Sequence, residues 1–218
     1  MTQNGNCLKI ALIQTELFWE DPISNRAMFT AKIEQIREVV DVIVLPEMFT
    51  SGFTMSPDNI KEEESLLTLT WMKKMASMYN AAIVGSTVFK EDNYKGFKIC
   101  PLICYDLRFP VWSRNTENFD VLLYAANWPT PRINAWDALL KARAIENMVY
   151  CIGVNRIGTD KIGHNYPGHT SCYNPQGILM EISRKEEILI VEICKNEIDS
   201  LRTKLPFLED RDQFNLID

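Results

Sequence analysis

The sequence predicts a layered α/β domain, because short apolar stretches alternate with amphipathic helical patterns along its 218 residues. The apolar stretches have the length and composition of buried strands, and the segments between them repeat apolar residues at helical spacing. A chain of this length can bury a sizeable core as one domain. No repeat, linker or low-complexity segment divides it, so we expect a single domain spanning residues 1–218.

The first half of the chain predicts strands that alternate with two helices. The first helix, over residues 22–40, has an apolar stripe that includes Phe29 and Ile33, and the second has a stripe formed by Leu66, Leu69, Met72, Met75 and Met78. The predicted elements before residue 104 are strands over 7–14, 42–45, 81–89 and 97–103, and helices over 22–40 and 62–79.

The second half continues the alternation. Prolines at 129 and 131 begin a helix that ends near Met148, and it carries Trp136, Leu140 and Ala144 on one face. The predicted strands of this half cover 119–125, 150–154, 170–173, 178–182 and 187–193. Residues 174–177 form a turn between two of these strands. Residues 201–218 form a mixed polar and apolar tail with no predicted element.

Composition narrows the class of protein. The hydrophobic content of 46% and the charged content of 24% are ordinary for a soluble globular protein, and the net charge of -6 argues against nucleic acid as a partner. The sequence has no apolar stretch of membrane-spanning length and begins without a signal-peptide pattern, so we expect a cytoplasmic protein without a membrane partner. Six cysteines without zinc-type pairs indicate free thiols. Cys100 and Cys104 lie too far apart along one strand to bond.

One stretch, ICPLICYDLRFP over residues 99–110, has the pattern of a nucleophile elbow. A buried strand over 99–103 would end at Cys104, and the chain would then turn away. The thiol of Cys104 could face a pocket beside the main-chain N–H of Tyr105, which would pair a nucleophile with an oxyanion donor. The alternative is a cysteine buried in the core, which is common for this residue type.

A base for this thiol could come from another strand end. Glu47 follows a buried strand and a proline, and Trp128 follows a third strand, so all three loops could share one pocket at the carboxyl ends of the strands. Burial in an apolar loop would raise the proton affinity of Glu47 and suit it to act as a general base. The alternatives are an exposed loop acid at 47, or a Cys–His hydrolase that uses His164 or His169. We interpret both histidines as surface loop residues.

The other polar residues near these loops have structural interpretations. Asp106 and Arg108 would hold the elbow by ion pairing or hydrogen bonds, and carboxylate binding by Arg108 is the second interpretation. Arg143 and Glu146 would form an ion pair on a helix surface. The sequence has no GxGxxG, P-loop or HExxH motif, so nucleotide and metal sites have no local signal.

Five segments in order along the chain resemble the nitrilase, or carbon-nitrogen hydrolase, superfamily, and within it the omega-amidase branch. They are LPEMFTSGF at 45–53, ICYDLRFPVWSRN at 103–115, ANWP at 126–129, ARAIEN at 142–147 and VNRIG at 154–158. The resemblance implies a four-layer α-β-β-α sandwich and hydrolysis of the ω-amide of small 2-oxo dicarboxylic acid monoamides such as 2-oxoglutaramate. It implies no metal or organic cofactor, and a homodimer or a higher homo-oligomer.

The resemblance also implies a Glu-Lys-Cys triad. Glu47 is then the general base, Cys104 the nucleophile and the Tyr105 N–H an oxyanion donor, while Trp128, Phe53 and Arg108 contact the substrate. The lysine has no counterpart in this chain. Relatives carry it between the strands at 81–89 and 97–103, where this chain has only the short segment KEDNYKG at 90–96. We assign neither Lys90 nor Lys95 to the triad.

The loss of the lysine matters because a thiolate and a glutamate repel each other in a dry pocket unless a cation lies between them. Either the protein lacks the segment and is an inactive relative that serves as a scaffold, or the sequence omits an internal stretch of the protein. The intact flanking motifs favour the omission. A third alternative is an active enzyme of different specificity, for another small amide or a carbamoyl compound.

Overall fold

The computed structural model describes residues 7–54, 59–85 and 93–212. Its helices and strands follow one another as β1 (Cys7–Gln14), α1 (Pro22–Ile33), β2 (Val42–Val44), α2 (Glu62–Tyr79), β3 (Ala82–Val84), β4 (Asn93–Tyr94), β5 (Phe97–Ile103), β6 (Val121–Ala126), α3 (Ile133–Asn147), β7 (Tyr150–Asn155), β8 (Ile157–Thr159), β9 (Asn165–Pro167), β10 (Thr170–Tyr173), β11 (Leu179–Ser183), β12 (Glu187–Cys194) and α4 (Lys195–Lys204). Short 3₁₀ helices occupy Cys104–Arg108 and Thr130–Arg132.

The strands form two main sheets. The first sheet has the order β12-β1-β2-β3, and the second has the order β11-β10-β7-β6-β5-β4. Strands β1, β2 and β3 run parallel to one another, and so do β5, β6 and β7. Loops that follow parallel strands of one sheet therefore meet at the same edge of that sheet.

The two sheets pack face to face and each carries helices on its outer face. A cluster of apolar side chains from β1, β2, β6, β7 and β12 fills the space between the sheets. Helices α1 and α2 pack on the outside of the first sheet, and α3 packs on the outside of the second. The result is the four-layer α-β-β-α sandwich that the resemblance implies.

Several predicted elements have different bounds in the structure. Helix α1 ends at Ile33 instead of residue 40, because the N–H groups of Gln35 and Ile36 turn back to carbonyls three residues earlier. The predicted strand over 81–89 is present as β3, and its residues 86–89 lie outside the described residues. Helix α4 and the β8–β9 hairpin were not predicted, since their residues lack a clear apolar period.

The predicted apolar stripe of α2 is wrong in part. Met72 and Met75 are buried, whereas Leu66, Leu69 and Met78 are exposed. The face that packs against α1 and the first sheet also includes Thr68, which lies one helical turn before Met72. Tertiary packing therefore selects a face that the methionine and leucine pattern does not indicate.

Strand β5 is less buried than the sequence predicts. Its residues from Ile99 to Leu102 are only partly buried, and Ile103 is exposed. Among the described residues, only the two of β4 pair with β5 on the side away from β6. Within this part of the chain, β5 therefore lies close to the edge of its sheet.

The prediction that all six cysteines are free thiols is wrong for two of them. Cys7 at the start of β1 and Cys194 at the end of β12 form a disulfide across 187 residues of sequence. These two residues face each other because β1 and β12 pair antiparallel in this register. Cys100 and Cys104 are free thiols, as predicted.

Within the described ranges, no helix has both the length and the apolar character needed to cross a membrane.

Candidate active site

The two sheets bring Glu47 and Asn127 into direct contact. Glu47 lies three residues after β2 of the first sheet, and Asn127 directly follows β6 of the second. The main-chain N–H of Asn127 donates to Glu47 Oε2 at 2.7 Å, and Asn127 Nδ2 donates to the Glu47 carbonyl at 2.8 Å and to Oε2 at 3.1 Å. Glu47 is only 8% exposed, so the predicted alternative of an exposed loop acid does not fit the structure.

Cys104 completes this cluster. The Glu47 carboxylate and the main-chain N–H of Asn127 both lie close enough to its sulfur to act on the pKa of the thiol, which Glu47 raises and Asn127 lowers. Cys104 is partly buried and lies at the end of β5, at the same edge of the sheet as Asn127. The structure therefore places the predicted nucleophile and the predicted base together, far apart as they are in sequence, and their catalytic roles stay predictions.

Burial controls the proton affinity of both groups. Loss of hydration raises the pKa of the Glu47 carboxyl above its usual value, against the opposing effect of the Asn127 hydrogen bonds. Burial also raises the pKa of the Cys104 thiol well above its usual range, and the nearby Glu47 charge raises it further. A carboxylate with raised proton affinity beside a neutral thiol is suited to accept the thiol proton when a substrate carbon comes within reach.

The backbone around Cys104 adopts a rare conformation that a local hydrogen bond fixes. Cys104 has a φ of 39°, in the left-handed region that non-glycine residues rarely adopt. The Ile103 N–H donates to Asp106 Oδ2 at 2.9 Å, which confirms that Asp106 holds the elbow by a hydrogen bond. The chain therefore leaves β5 at Cys104 through a strained turn that is fixed by local hydrogen bonds.

Arg143 of α3 also supports the elbow. Its Nη2 donates to the Leu107 carbonyl at 2.7 Å, and its Nη1 pairs with Glu146 at 2.9 Å. The ion pair is present as predicted, but the prediction of a surface position is wrong because Arg143 is only 3% exposed. Its guanidinium group lies buried between α3 and the elbow, which the spacing of two charged residues could not indicate.

Trp128 follows Asn127 directly and is held by two hydrogen bonds. Its main-chain N–H donates to Asn155 Oδ1 at 2.7 Å, and its indole N–H donates to the Arg132 carbonyl at 2.7 Å. The Arg108 guanidinium group lies over the Trp128 ring at 4.9 Å and near the Tyr105 ring at 5.9 Å. Stacking on aromatic rings, not the predicted ion pairing, therefore orients Arg108 among the described residues.

The remaining predicted site residues have a position but no observed role. Phe53 is half-buried in the loop that contains Glu47. Tyr105 follows the nucleophile at the start of a 3₁₀ helix, where main-chain N–H groups lack helical partners, and its ring is 61% exposed. Substrate contact by Phe53, Trp128 and Arg108, and oxyanion binding by the Tyr105 N–H, stay predictions.

The histidines lie in other interactions. His169 Nδ1 pairs with Asp137 at 3.0 Å, and its Nε2 accepts from Arg184 at 3.2 Å. The His164 main-chain N–H donates to Asp160 Oδ1 at 2.8 Å in a loop turn. Among the described residues, the acidic group that raises the pKa of the Cys104 thiol is Glu47, and neither histidine acts on this thiol. The structure therefore does not support a Cys–His hydrolase.

Neither Lys90 nor Lys95 is assigned as the triad lysine from the sequence. Lys95 pairs with Asp41 on the surface, and Lys90 lies outside the described residues. Arg132, which is exposed, contributes a positive charge that favours the Cys104 thiolate. This effect is smaller than those of burial and of Glu47, so the thiol stays protonated in this arrangement.

Sequence reasoning did not identify the roles of Asn127 and Asn155. Asn127 holds Glu47, while Asn155 holds the main chain of Trp128 and also donates to the Gly168 carbonyl at 2.7 Å. Each asparagine ends or directly follows a buried parallel strand. That position, an amide side chain at a carboxyl strand end, was the available signal.

Comparison with known proteins places the chain in a family. The family model for carbon-nitrogen hydrolases matches residues 87–203. The chain is 35% identical to omega-amidase YafV of Escherichia coli K12, with 96% of this chain and 98% of that protein covered. It is 29% identical to 2-oxoglutaramate amidase of Bacillus subtilis, with 92% and 96% covered.

A solved structure agrees with these sequence relatives. XC1258 of Xanthomonas campestris, a CN-hydrolase superfamily protein with an arsenic adduct in its active site, superimposes with a TM-score of 0.90. The two chains are 30% identical, and the match covers 96% of this chain and 99% of XC1258. The chain therefore belongs to the carbon-nitrogen hydrolase family, in its omega-amidase branch.

Proposed function

We propose that the protein is a thiol amidohydrolase that cleaves the ω-amide of small 2-oxo dicarboxylic acid monoamides, such as 2-oxoglutaramate, to the acid and ammonia. The observation that carries the proposal is the placement of the buried Glu47 carboxylate, held by Asn127, beside the Cys104 thiol. The names of the relatives, omega-amidase and 2-oxoglutaramate amidase, supply the substrate class.

The first half of the proposed reaction is transfer of the acyl group to Cys104. Glu47 takes the thiol proton while the sulfur attacks the amide carbon, and the Tyr105 N–H stabilises the oxyanion. Glu47 then delivers this proton to the amide nitrogen. The carbon–nitrogen bond breaks, ammonia leaves, and the acyl group remains on Cys104 as a thioester.

The second half is hydrolysis of the thioester. Glu47 removes a proton from water, the resulting oxygen attacks the thioester carbon, and the carbon–sulfur bond breaks. The proton returns to the sulfur, which restores the thiol and the carboxylate. Arg108, stacked on Trp128, is the proposed partner of the substrate carboxylate, since charge-assisted hydrogen bonds to arginine are among the strongest in proteins.

The chain is shorter than its relatives near residues 90–96. We propose one carbon-nitrogen hydrolase domain over residues 1–218 that lacks a family segment near residues 90–96. The alignment with YafV runs over 256 residues, more than the 218 of this chain, which supports the absence of a stretch that relatives possess. An intact mass of the purified protein above 25.2 kDa would reveal an omitted segment. A mass of 25.2 kDa would support the alternative of an inactive scaffold.

Ammonia release from 2-oxoglutaramate tests the proposed activity. Cys104→Ser should abolish release, because a hydroxyl at this position is a much weaker nucleophile than a thiol. Cys100→Ser is the matched control, since Cys100 is a partly buried free thiol on the same strand. Full activity in Cys104→Ser would overturn the nucleophile. Faster hydrolysis of asparagine, glutamine or a carbamoyl compound would favour the alternative specificity.

The assembly and the location of the protein are further parts of the proposal. We propose a homodimer or higher homo-oligomer, supported by the exposed rings of Tyr105, Phe109 and Trp112 near the elbow. Sedimentation of the protein and of Trp112→Glu tests this, with a shift toward monomer expected for the variant. We also propose a cytoplasmic location, where reducing conditions would keep the Cys104 thiol free and would open the Cys7–Cys194 disulfide; cell fractionation tests it.

A further inference from the structure

Asn127 makes several hydrogen bonds to Glu47 in the candidate active site. Its main-chain N–H and its side-chain Nδ2 both donate to Glu47 Oε2, and Nδ2 also donates to the Glu47 carbonyl. Glu47 Oε2 therefore accepts two hydrogen bonds from one residue. A proton on the carboxyl group then belongs on Oε1, the oxygen that Asn127 does not bind.

One polar atom of Asn127 has no partner among the described residues. Its Oδ1 is closed to bulk solvent and accepts no hydrogen bond from them, and the residue as a whole is only 3% exposed. Leaving a buried acceptor without a donor costs about 1–3 kcal/mol. A buried polar atom of this kind in a reactive site indicates a partner that is supplied during function.

The orientation of the Asn127 amide is fixed by its surroundings. Exchanging Oδ1 with Nδ2 would turn an acceptor toward the Glu47 carbonyl and the Glu47 carboxylate, both of which are acceptors. The exchange would replace two hydrogen bonds with two repulsions. Oδ1 therefore cannot satisfy itself by an amide flip, and its missing partner must be a donor.

The scissile amide has a donor of the required kind. In the proposed reaction its carbon meets the Cys104 sulfur and its oxygen meets the Tyr105 N–H. Its nitrogen must then face Glu47, which protonates it. Asn127 Nδ2 lies 3.1 Å from Glu47 Oε2, and Oδ1 sits on the same carbon as Nδ2. Oδ1 therefore belongs to the same amide group that contacts Glu47, and a primary amide of the substrate has two hydrogens, one for Oδ1 and one for Glu47.

We propose that Asn127 Oδ1 accepts a hydrogen bond from the –NH₂ group of the substrate and makes the site selective for primary carboxamides over esters of the same acid. This proposal rests on the proposed amidohydrolase function. The bond strengthens as the nitrogen gains a proton and becomes a cationic donor, so it acts on formation of the thioester. An ester presents an oxygen with no hydrogen here, and Oδ1 would stay without a partner.

Two substrates with one acyl group test the proposal: 2-oxoglutaramate and the 5-methyl ester of 2-oxoglutarate. The ratio of their kcat/KM values reports formation of the thioester, because hydrolysis of the shared thioester cancels. Asn127→Ala should lower this amide-to-ester ratio about tenfold to hundredfold, the loss of one hydrogen bond to a charged donor. Asn127→Asp keeps an acceptor at Oδ1 and should keep the ratio, even where both rates fall.

The controls separate selectivity from support of Glu47. Because Glu47 protonates the leaving nitrogen, loss of its support alone would lower the amide-to-ester ratio in both Asn127 variants. An unchanged ratio in Asn127→Ala, or an equal fall of the ratio in both variants, would overturn the proposal. Asn155→Ala, a matched change of a buried asparagine that holds Trp128, should lower both substrates together. Asn127→Asp decides the matter by itself if Asn127→Ala does not fold: a kept ratio supports the proposal, and a lost ratio contradicts it.

Failure of the proposed function is distinguishable from failure of this inference. A wild-type protein that releases neither ammonia nor methanol would remove the amidohydrolase function, and the inference with it. A wild-type protein that hydrolyses both substrates, with a ratio that is unchanged in Asn127→Ala, would remove the inference alone.

Discussion

Replacement of Glu47 by glutamine is expected to make the Cys104 thiol more acidic while hydrolysis is lost. After burial, the nearby negative charge of Glu47 is the largest effect that raises the pKa of this thiol. Glutamine keeps the shape of the side chain and removes the charge. The thiolate of Cys104 should then form at lower pH than in the wild-type protein.

The size of the change follows from the contact. Two unit charges about 4 Å apart interact by about 4 kcal/mol at an effective dielectric constant of about 20. Because about 1.36 kcal/mol corresponds to one pKa unit, removal of the charge would lower the pKa by about three units. Solvent at the partly exposed Cys104 weakens the interaction, so we expect the pKa to fall by about one to three units.

The assay is alkylation of Cys104 by iodoacetamide as a function of pH, followed on the peptide that contains this residue. The pH at half-maximal rate should fall in Glu47→Gln, while turnover falls about 10²–10⁴-fold through loss of the general base. Glu38→Gln is the control, because this exposed carboxylate pairs with Lys9 and its loss changes the net charge equally. An unchanged or higher alkylation pKa in Glu47→Gln would refute the contact between the two groups.

Further predictions concern stability and substrate binding. Burial raises the pKa of Glu47 above the value of 4.5 that it has in the unfolded chain. The ionised carboxylate therefore destabilises the folded protein at a pH above the raised pKa and has no such effect below pH 4.5. Glu47→Gln should raise Tm at about pH 7.5 and change it little near pH 4. A Cβ at Gly153 would lie 2.5 Å from atoms of Leu140 and Trp136, so Gly153→Ala should cost about 1–3 kcal/mol in urea unfolding, and combination with Leu140→Ala should cost less than the sum. Arg108→Leu should raise KM for 2-oxoglutaramate about tenfold to hundredfold and leave KM for a neutral amide such as propionamide little changed; equal changes in steady-state kinetics would exclude carboxylate binding.

The sequence predicted the parts of the fold that depend on local pattern. The bounds of β1, α2, β5 and β10 agree with the predicted ranges, although α2 buries a face that differs in part from the predicted one. The meeting of Glu47 and Cys104 could also be anticipated, since both follow the carboxyl ends of strands in a layered sandwich.

The disulfide, the burial of Arg143 and the unpaired oxygen of Asn127 could not be predicted from the spacing of residues in the sequence. They depend on which helices and strands lie next to each other in the fold. Cys7 and Cys194 bond because the first and last strands pair antiparallel. Arg143 is buried because the elbow covers it, although its spacing to Glu146 matches an ordinary surface pair. The unsatisfied oxygen of Asn127 depends on the orientation of one amide group, which only atomic contacts reveal.

The central claim is that the sulfur of Cys104 carries the acyl group of the substrate. Turnover of 2-oxoglutaramate quenched in acid, followed by mass analysis of the peptides, tests this most directly because thioesters survive at low pH. The account predicts a 2-oxoglutaryl group on the peptide that contains Cys104, and none on this peptide in Cys104→Ser. Ammonia release with the acyl group on another residue, or at an undiminished rate in Cys104→Ser, would contradict it.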